Sequence, residues 1–191
     1  MALRTDSYDR FVETAAGLFY SQGITATGVD QIVAQSGLSK PTLYGQFHSK
    51  DRLVAAVLAR RHEERVESLD AWIRGRAGNP IERLLAVFDW LEEWHKGGGN
   101  RGCAFINAAA ELIDPAHPAR EEIRAHKHWM RDYVAGLAAE AGLSEPQRLG
   151  ADLMLLVEGA NARMLVDGDL TAAADARRVA TLLVAAQGKR P

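Results

Sequence analysis

Apolar residues recur along the chain at three- and four-residue steps, and no segment alternates apolar and polar residues. That period belongs to helices with one buried side. Tyr8, Phe11, Val12, Ala15, Leu18 and Phe19 outline the first helix, which Asp6 or Ser7 can cap and Gly23 follows. Thr27 followed by Asp30 reads as a capping box opening a two-turn helix with Val29, Ile32 and Val33 inward. Ser36-Gly37 ends it, because glycine tolerates the left-handed conformation of a helix stop. Ser39 then caps a second short helix with Pro41 in its first turn, where a missing N–H does no harm. Leu43 and Phe47, four apart, form its buried stripe.

After Ser49 the spacing predicts a long helix to about Ile73, carrying Leu53, Val54, Val57, Leu58, Val66 and Leu69, broken by the segment from Gly75 to Pro80. The next helix, about Ile81 to His95, has Leu84, Phe88 and Leu91 on one face and Val87, Trp90 and Trp94 on another, so neighbours must enclose it. A glycine-rich loop at 97–102 leads to a short helix, Cys103 to Ile113, and then a longer one, about Pro118 to Ala141. Ser144 and Gln147 read as a second capping box. It opens the segment Leu149–Val166, apolar nearly all round, and a last helix spans about Ala172 to Gln187. The expected fold is all-α, about nine helices, with a small N-terminal unit on a larger helical body.

Composition narrows the class. With 191 residues, 47% of them hydrophobic, the chain can bury a core, and its one cysteine excludes an internal disulfide scaffold. Met1 to Arg10 contains no apolar signal region and no stretch nears 18 apolar residues, so a cytoplasmic protein with no membrane partner is expected. Residues 1–62 hold seven basic and five acidic side chains, against 16 and 20 in the remainder. A polyanionic partner therefore suits only the N-terminal third.

Two short helices joined by a glycine-containing turn, after a capped amphipathic helix, describe a helix-turn-helix unit. On the second, Leu43 and Phe47 face inward, while Pro41, Thr42, Gly45 and Gln46 share the outer face and Tyr44 flanks it. Lys40 and Lys50 each sit in the first turn of a helix, where a cation opposes the macrodipole. A phosphate there would meet both the lysine and free backbone N–H groups.

The run from Gly37 to Leu53, with Thr42-Leu43-Tyr44, Phe47 and Ser49-Lys50-Asp51 at fixed offsets, resembles the DNA-binding signature of TetR-type transcriptional regulators. Ala15 to Phe19, Gly23 and Val29 to Ser36 match the same pattern, so the resemblance covers about residues 8–58. It implies a DNA-binding domain over residues 1–48 and an effector-binding, dimerising domain over 49–191. By resemblance, Lys40, Pro41, Thr42 and Tyr44 are base or phosphate contacts, Lys50 is a phosphate contact, and Thr27 is a cap that also touches the DNA backbone. Gln46 stands where many members carry His, and Gly45 where many carry a bulkier residue, so the operator sequence is not legible. The family acts as homodimers on double-stranded DNA. The apolar run Leu149–Val166 and the closing helix fit a four-helix interface, or alternatively the core of a single chain.

In the body, Cys103, Asn107 and Glu111 are spaced four apart and form one polar stripe on an otherwise apolar helix. Such a stripe is paired with neighbouring helices or offered to a ligand. Arg101 and His95 lie near Cys103 in sequence, where either would favour a thiolate. Trp90, Trp94, Phe105, Trp129 and Tyr133, with several methionines, are candidates to line a cavity for a hydrophobic or aromatic small-molecule effector. His126 and His128 are two apart and cannot chelate one metal, the 97–102 loop lacks a P-loop ending, and no nucleophile elbow occurs. The expectation is a ligand-responsive repressor with no cofactor and no enzymatic activity. A regulator switched through the Cys103 thiol, and a helical ligand-binding module without DNA binding, are the alternatives.

Overall fold

The computed structural model describes residues 6–76 and 78–187; Ala77, within the expected break at 75–80, lies outside them. Among the described residues nine helices follow one another: α1 (Asp6–Gln22), α2 (Val29–Ser36), α3 (Lys40–Phe47), α4 (Lys50–Arg74), α5 (Pro80–Lys96), α6 (Ala104–Glu111), α7 (Ala119–Glu140), α8 (Pro146–Asp167) and α9 (Ala172–Ala185). Each corresponds to an element that the apolar spacing predicts. Packing divides the chain into two compact units, one holding residues through Arg65 plus Ala104–His126, the other Val66–Cys103 plus residues from Lys127 on. Two of the dividing points fall inside α4 and α7, and the third falls at the start of α6.

In the first unit α1, α2 and α3 pack on one another through the residues whose spacing marked them as inward. Phe11, Ala15, Ile32 and Leu43 are fully buried, and Val12 and Phe47 nearly so. The Phe47 ring stacks on Tyr8 at 4.8 Å and meets Phe11 edge-on at 6.2 Å, offset geometries that add to simple burial. Gly37 ends α2 with φ of 66°, its N–H donating to the Val33 carbonyl. His48 ends α3 in the same left-handed region, φ 63°, at a steric cost of roughly 1 kcal/mol for a residue with a β-carbon.

Two expected caps are absent. Thr27 is fully buried, and its hydroxyl donates back to the Gly23 carbonyl at 2.7 Å instead of accepting from α2. Gly28 holds the cap position with no side chain to offer. Likewise Ser144 does not open α8: Pro146 takes the first helical position, Glu145 precedes it without a capping bond, and Ser144 Oγ donates to Gln187 Oε1. Proline's fixed φ and missing N–H set where that helix starts.

The second unit is built around Leu69, Ile73, Leu84, Phe88, Leu91, Val134, Leu149 and Leu153. Both apolar faces of α5 are buried, as expected of an enclosed helix. Alanines 172, 173, 176 and 180 let α9 lie close to α5 and α8. At Gly150 a β-carbon would come within 2.9 Å of Ala135 Cβ, so glycine sets the approach of α8 to α7. Gly102, at φ 60°, lies so near α8 that a β-carbon would meet the Asn161 carbonyl oxygen at 2.4 Å. Only part of Leu149–Val166 is core: Leu155 is 72% and Val166 78% exposed in the single chain.

Candidate nucleic-acid interface

The surface of α3 opposite Leu43 and Phe47 is what the helix-turn-helix offers to a partner. Ser39 caps the helix as expected, accepting from the Thr42 N–H at 3.2 Å and sharing a 2.7 Å hydroxyl contact with Thr42 Oγ1. Pro41 and Gly45 are exposed, Thr42 is half-buried, and Tyr44 is 40% exposed although it is an aromatic residue. Lys40 reaches Asp30 of α2 at 2.7 Å, and that carboxylate holds its pKa above the usual lysine range. Both groups are open to water, so the pair can exchange Asp30 for another anion.

Three expected contact residues are placed differently. Thr27 is buried, so its hydroxyl reaches no surface partner. Gln46 turns from the outer face to donate its side-chain N–H to Ser7 Oγ at the start of α1. Lys50 folds back to donate to the Ile24 carbonyl at 2.5 Å. Burial holds its pKa below the usual range, with Asp51 and Glu111 acting in the opposite direction. An ammonium has three donors, so one bond to Ile24 leaves two.

Of the eight residues expected around an effector, Trp90, Trp94, Cys103, Trp129 and Tyr133 belong to the second unit and Phe105, Asn107 and Glu111 to the first. In the second unit Trp90 Nε1 donates to Ser68 Oγ at 3.0 Å, and Trp94 packs near the His95 ring. Trp129 packs near Tyr133, whose hydroxyl donates to Asp70 at 3.4 Å. Burial, then Asp70, pushes the Tyr133 phenol up to about 12. In the first unit the Phe105 ring stacks at 3.7 Å on the buried His126, which meets His62 through their Nδ1 atoms at 3.1 Å. Asn107 is half-buried, and Glu111 accepts from the Thr25 backbone N–H at 2.7 Å. An open cleft of about 390 Å³ in the second unit is lined by polar groups such as Arg76, Asn79, Glu82 and Asp89, and by none of these eight.

Cys103 has a neighbour that sequence did not indicate. Lys127 Nζ donates to its sulfur at 3.2 Å and to Glu158 Oε1 at 2.7 Å. Burial lowers the Lys127 pKa, but Cys103 and Glu158 together outweigh it, and the net shift is upward. His95, one of the two residues expected there, pairs with buried Asn161 at 3.2 Å. Lys127 stands 24 positions from Cys103, and no periodicity links residues on different helices.

The arrangement is that of a helix-turn-helix transcription factor with a helical body, and comparison with known proteins agrees. Residues 11–57 match the family model for bacterial regulatory proteins of the tetR family, and residues 80–180 match that for the tetracyclin repressor-like C-terminal domain. The crystal structure of SCO4454, a TetR-family transcriptional regulator from Streptomyces coelicolor, aligns with a TM-score of 0.86 and 30% identity over 94% of each chain. The HTH-type transcriptional regulator YxaF of Bacillus subtilis is 27% identical over 175 residues, 90% of this chain and 91% of that one. The HTH-type transcriptional repressor NemR of Escherichia coli is 24% identical over 116 residues, 60% of this chain and 58% of NemR. Its reduced form shares the fold at a TM-score of 0.80, with 19% identity over 96% of this chain and 98% of that one. The chain belongs to the TetR family and is a DNA-binding transcriptional regulator. No helix among the described residues is long and apolar enough to cross a membrane.

Proposed function

We propose that this protein is a ligand-responsive repressor, released from a double-stranded DNA operator by a small molecule. The observation that carries the reading is the two-sided character of α3. Leu43 and Phe47 are sealed on one side, while Lys40, Pro41, Thr42 and Tyr44 are offered on the other. Residues 1–48 read DNA in this account, and residues 49–191 dimerise and bind the effector. Two copies pair through α8 and α9, supported by the exposure of Leu155, Val166 and Leu182. Their recognition helices then enter successive major grooves roughly 34 Å apart or somewhat more. The tryptophans of the second unit suit a hydrophobic or aromatic effector, which favours a dimer whose recognition helices no longer match the grooves.

A mobility shift with DNA upstream of the protein's own gene tests the reading. Wild type is expected to shift it and the combined Thr42→Ala, Tyr44→Ala and Lys50→Ala variant is not. Undiminished binding by that variant overturns the assignment. Tight effector binding without affinity for any genomic fragment would establish a ligand-binding module instead.

The contact of Lys127 with Cys103 favours a second reading, in which the trigger is covalent. The Lys127 ammonium donates to the Cys103 sulfur at 3.2 Å, and Cys103 stands just before the first turn of α6. A thiolate can add to a carbon electrophile, forming one S–C bond without an oxidant. NemR, described as a repressor and solved in a reduced form, is the relative that makes this worth separating. Cys103→Ser then abolishes induction by electrophiles or oxidants, whereas a pocket ligand still induces.

A further inference from the structure

Glu111 is the last residue of α6, and a carboxylate there opposes the helix macrodipole. Nothing within α6 compensates; its partners lie in the turn between α1 and α2. Its Oε2 accepts from the Thr25 N–H at 2.7 Å, while Lys50 Nζ, from the start of α4, donates to the Ile24 carbonyl at 2.5 Å. These two backbone groups belong to the same peptide unit. The C=O of Ile24 and the N–H of Thr25 lie at opposite ends of one rigid plane, and the peptide bond polarises as a whole. An anion at the N–H end strengthens the carbonyl as an acceptor, and a cation at the carbonyl end strengthens the N–H as a donor. One peptide group is thus clamped between opposite charges from two other helices.

The surrounding turn is shaped to admit the carboxylate. Gly23 has φ 97°, a conformation that favours glycine, and a β-carbon there would crowd both Glu111 oxygens at 3.2 Å. The buried Thr27 hydroxyl ties the Gly23 carbonyl from the other side. No side chain of residues 23–25 takes part in the clamp.

We propose that Glu111 is a positioning residue for DNA binding: through the Ile24–Thr25 peptide it fixes the Lys50 ammonium, leaving two of its N–H donors for a DNA phosphate. α6 thereby sets the DNA affinity of the helix-turn-helix by making or breaking one carboxylate contact. This rests on the phosphate role of Lys50 given above, and the test separates the two.

Full-length protein first selects duplexes from a random pool, and binding is then measured for wild type, Glu111→Ala, Glu111→Gln, Lys50→Ala and the Glu111→Ala, Lys50→Ala pair. Glu111→Ala is expected to weaken binding about tenfold, the size of one charge-assisted hydrogen bond. Glu111→Gln keeps an acceptor oxygen for Thr25 and is expected to recover about half of that loss on a logarithmic scale. In the Lys50→Ala background Glu111→Ala is expected to change nothing further, a non-additivity that general loosening of the fold does not produce. Additive losses, or full affinity in Glu111→Gln and Glu111→Ala alike, overturn the positioning role while leaving the Lys50 contact intact. Unchanged binding in Lys50→Ala overturns the phosphate contact itself. Should Glu111→Ala fail to fold, the Glu111→Gln and Lys50→Ala cycle decides by the same criterion.

Discussion

Helices α3 and α8 make the same bargain with the core and opposite offers to the outside. Each seals one side completely, α3 with Leu43 and Phe47, α8 with Leu149, Leu153 and Val157. Beyond that side α3 shows a proline, hydroxyls and a cation, whereas α8 shows Leu155, Leu165 and Val166. A single-chain fold requires only the first half of this description. In the function proposed above, the second half concerns what comes to rest there: a groove lined with phosphates and base edges for α3, an apolar helix for α8.

The sharpest way to break the contrast is to place charge on α8. Leu155→Glu with Val166→Glu leaves the single chain nearly untouched, within about 0.5 kcal/mol, because both positions face water there. If the face is buried between two copies, the pair of charges costs the dimer roughly 5 kcal/mol. Sedimentation should then show single chains where wild type shows dimers. A variant that still dimerises moves the interface elsewhere.

The matching experiment on α3 is smaller. Tyr44→Ala removes an exposed ring and leaves thermal unfolding within about 0.5 kcal/mol of wild type. DNA affinity should fall by about 1–3 kcal/mol, the usual worth of one good base contact. A fall in melting temperature with unaltered DNA affinity assigns Tyr44 to packing. Lys50→Ala refines this further. It should weaken all duplexes alike and reduce the slope of log affinity against log salt by about one.

How far each face was legible follows from the distance between partners. Most of α3 was written within a dozen residues: the Ser39 cap, Pro41, the Leu43 and Phe47 stripe and the motif around Lys50. The apolar surplus of α8 was equally local, although which part stays exposed depended on where α5, α7 and α9 lie. Thr27 misled because a Thr-x-x-Asp spacing is also compatible with a threonine that turns back to the preceding turn's carbonyl. Ser144 misled because Pro146, two residues on, governs the start of α8. Gln46 was placed on the outer face by its angle on the helix, yet Ser7, 39 residues earlier, draws it aside. Lys127 beside Cys103 and Glu111 beside Thr25 are partners 24 and 86 residues apart, joined only by the path of the chain. For the effector list the aromatic residues were countable in the sequence, but the directions of their side chains were not legible there.

The smallest prediction asks whether the interior of the second unit is closed where an effector was expected. Tyr133, one of those expected ligand residues, is half-buried and bonded to Asp70, and its phenol is raised to about 12. An ordinary tyrosine ionises near 10. Since the folded value is the higher one, the protonated phenol favours folding; that contribution is whole below about pH 10 and is lost as the pH climbs through about 12. Tyr133→Phe should cost below about 1 kcal/mol at neutral pH, given the long 3.4 Å contact. Between pH 10 and 12 it should make unfolding less steeply pH-dependent than in wild type, as followed by denaturant titrations and phenolate absorbance. If Tyr133 instead lines a hydrated cavity, it ionises near 10 with its exposed counterparts and the two pH profiles coincide. Coincident profiles would leave Tyr133 open to an effector, whereas separate profiles assign it to packing and leave the effector contacts proposed for the second unit to its tryptophans.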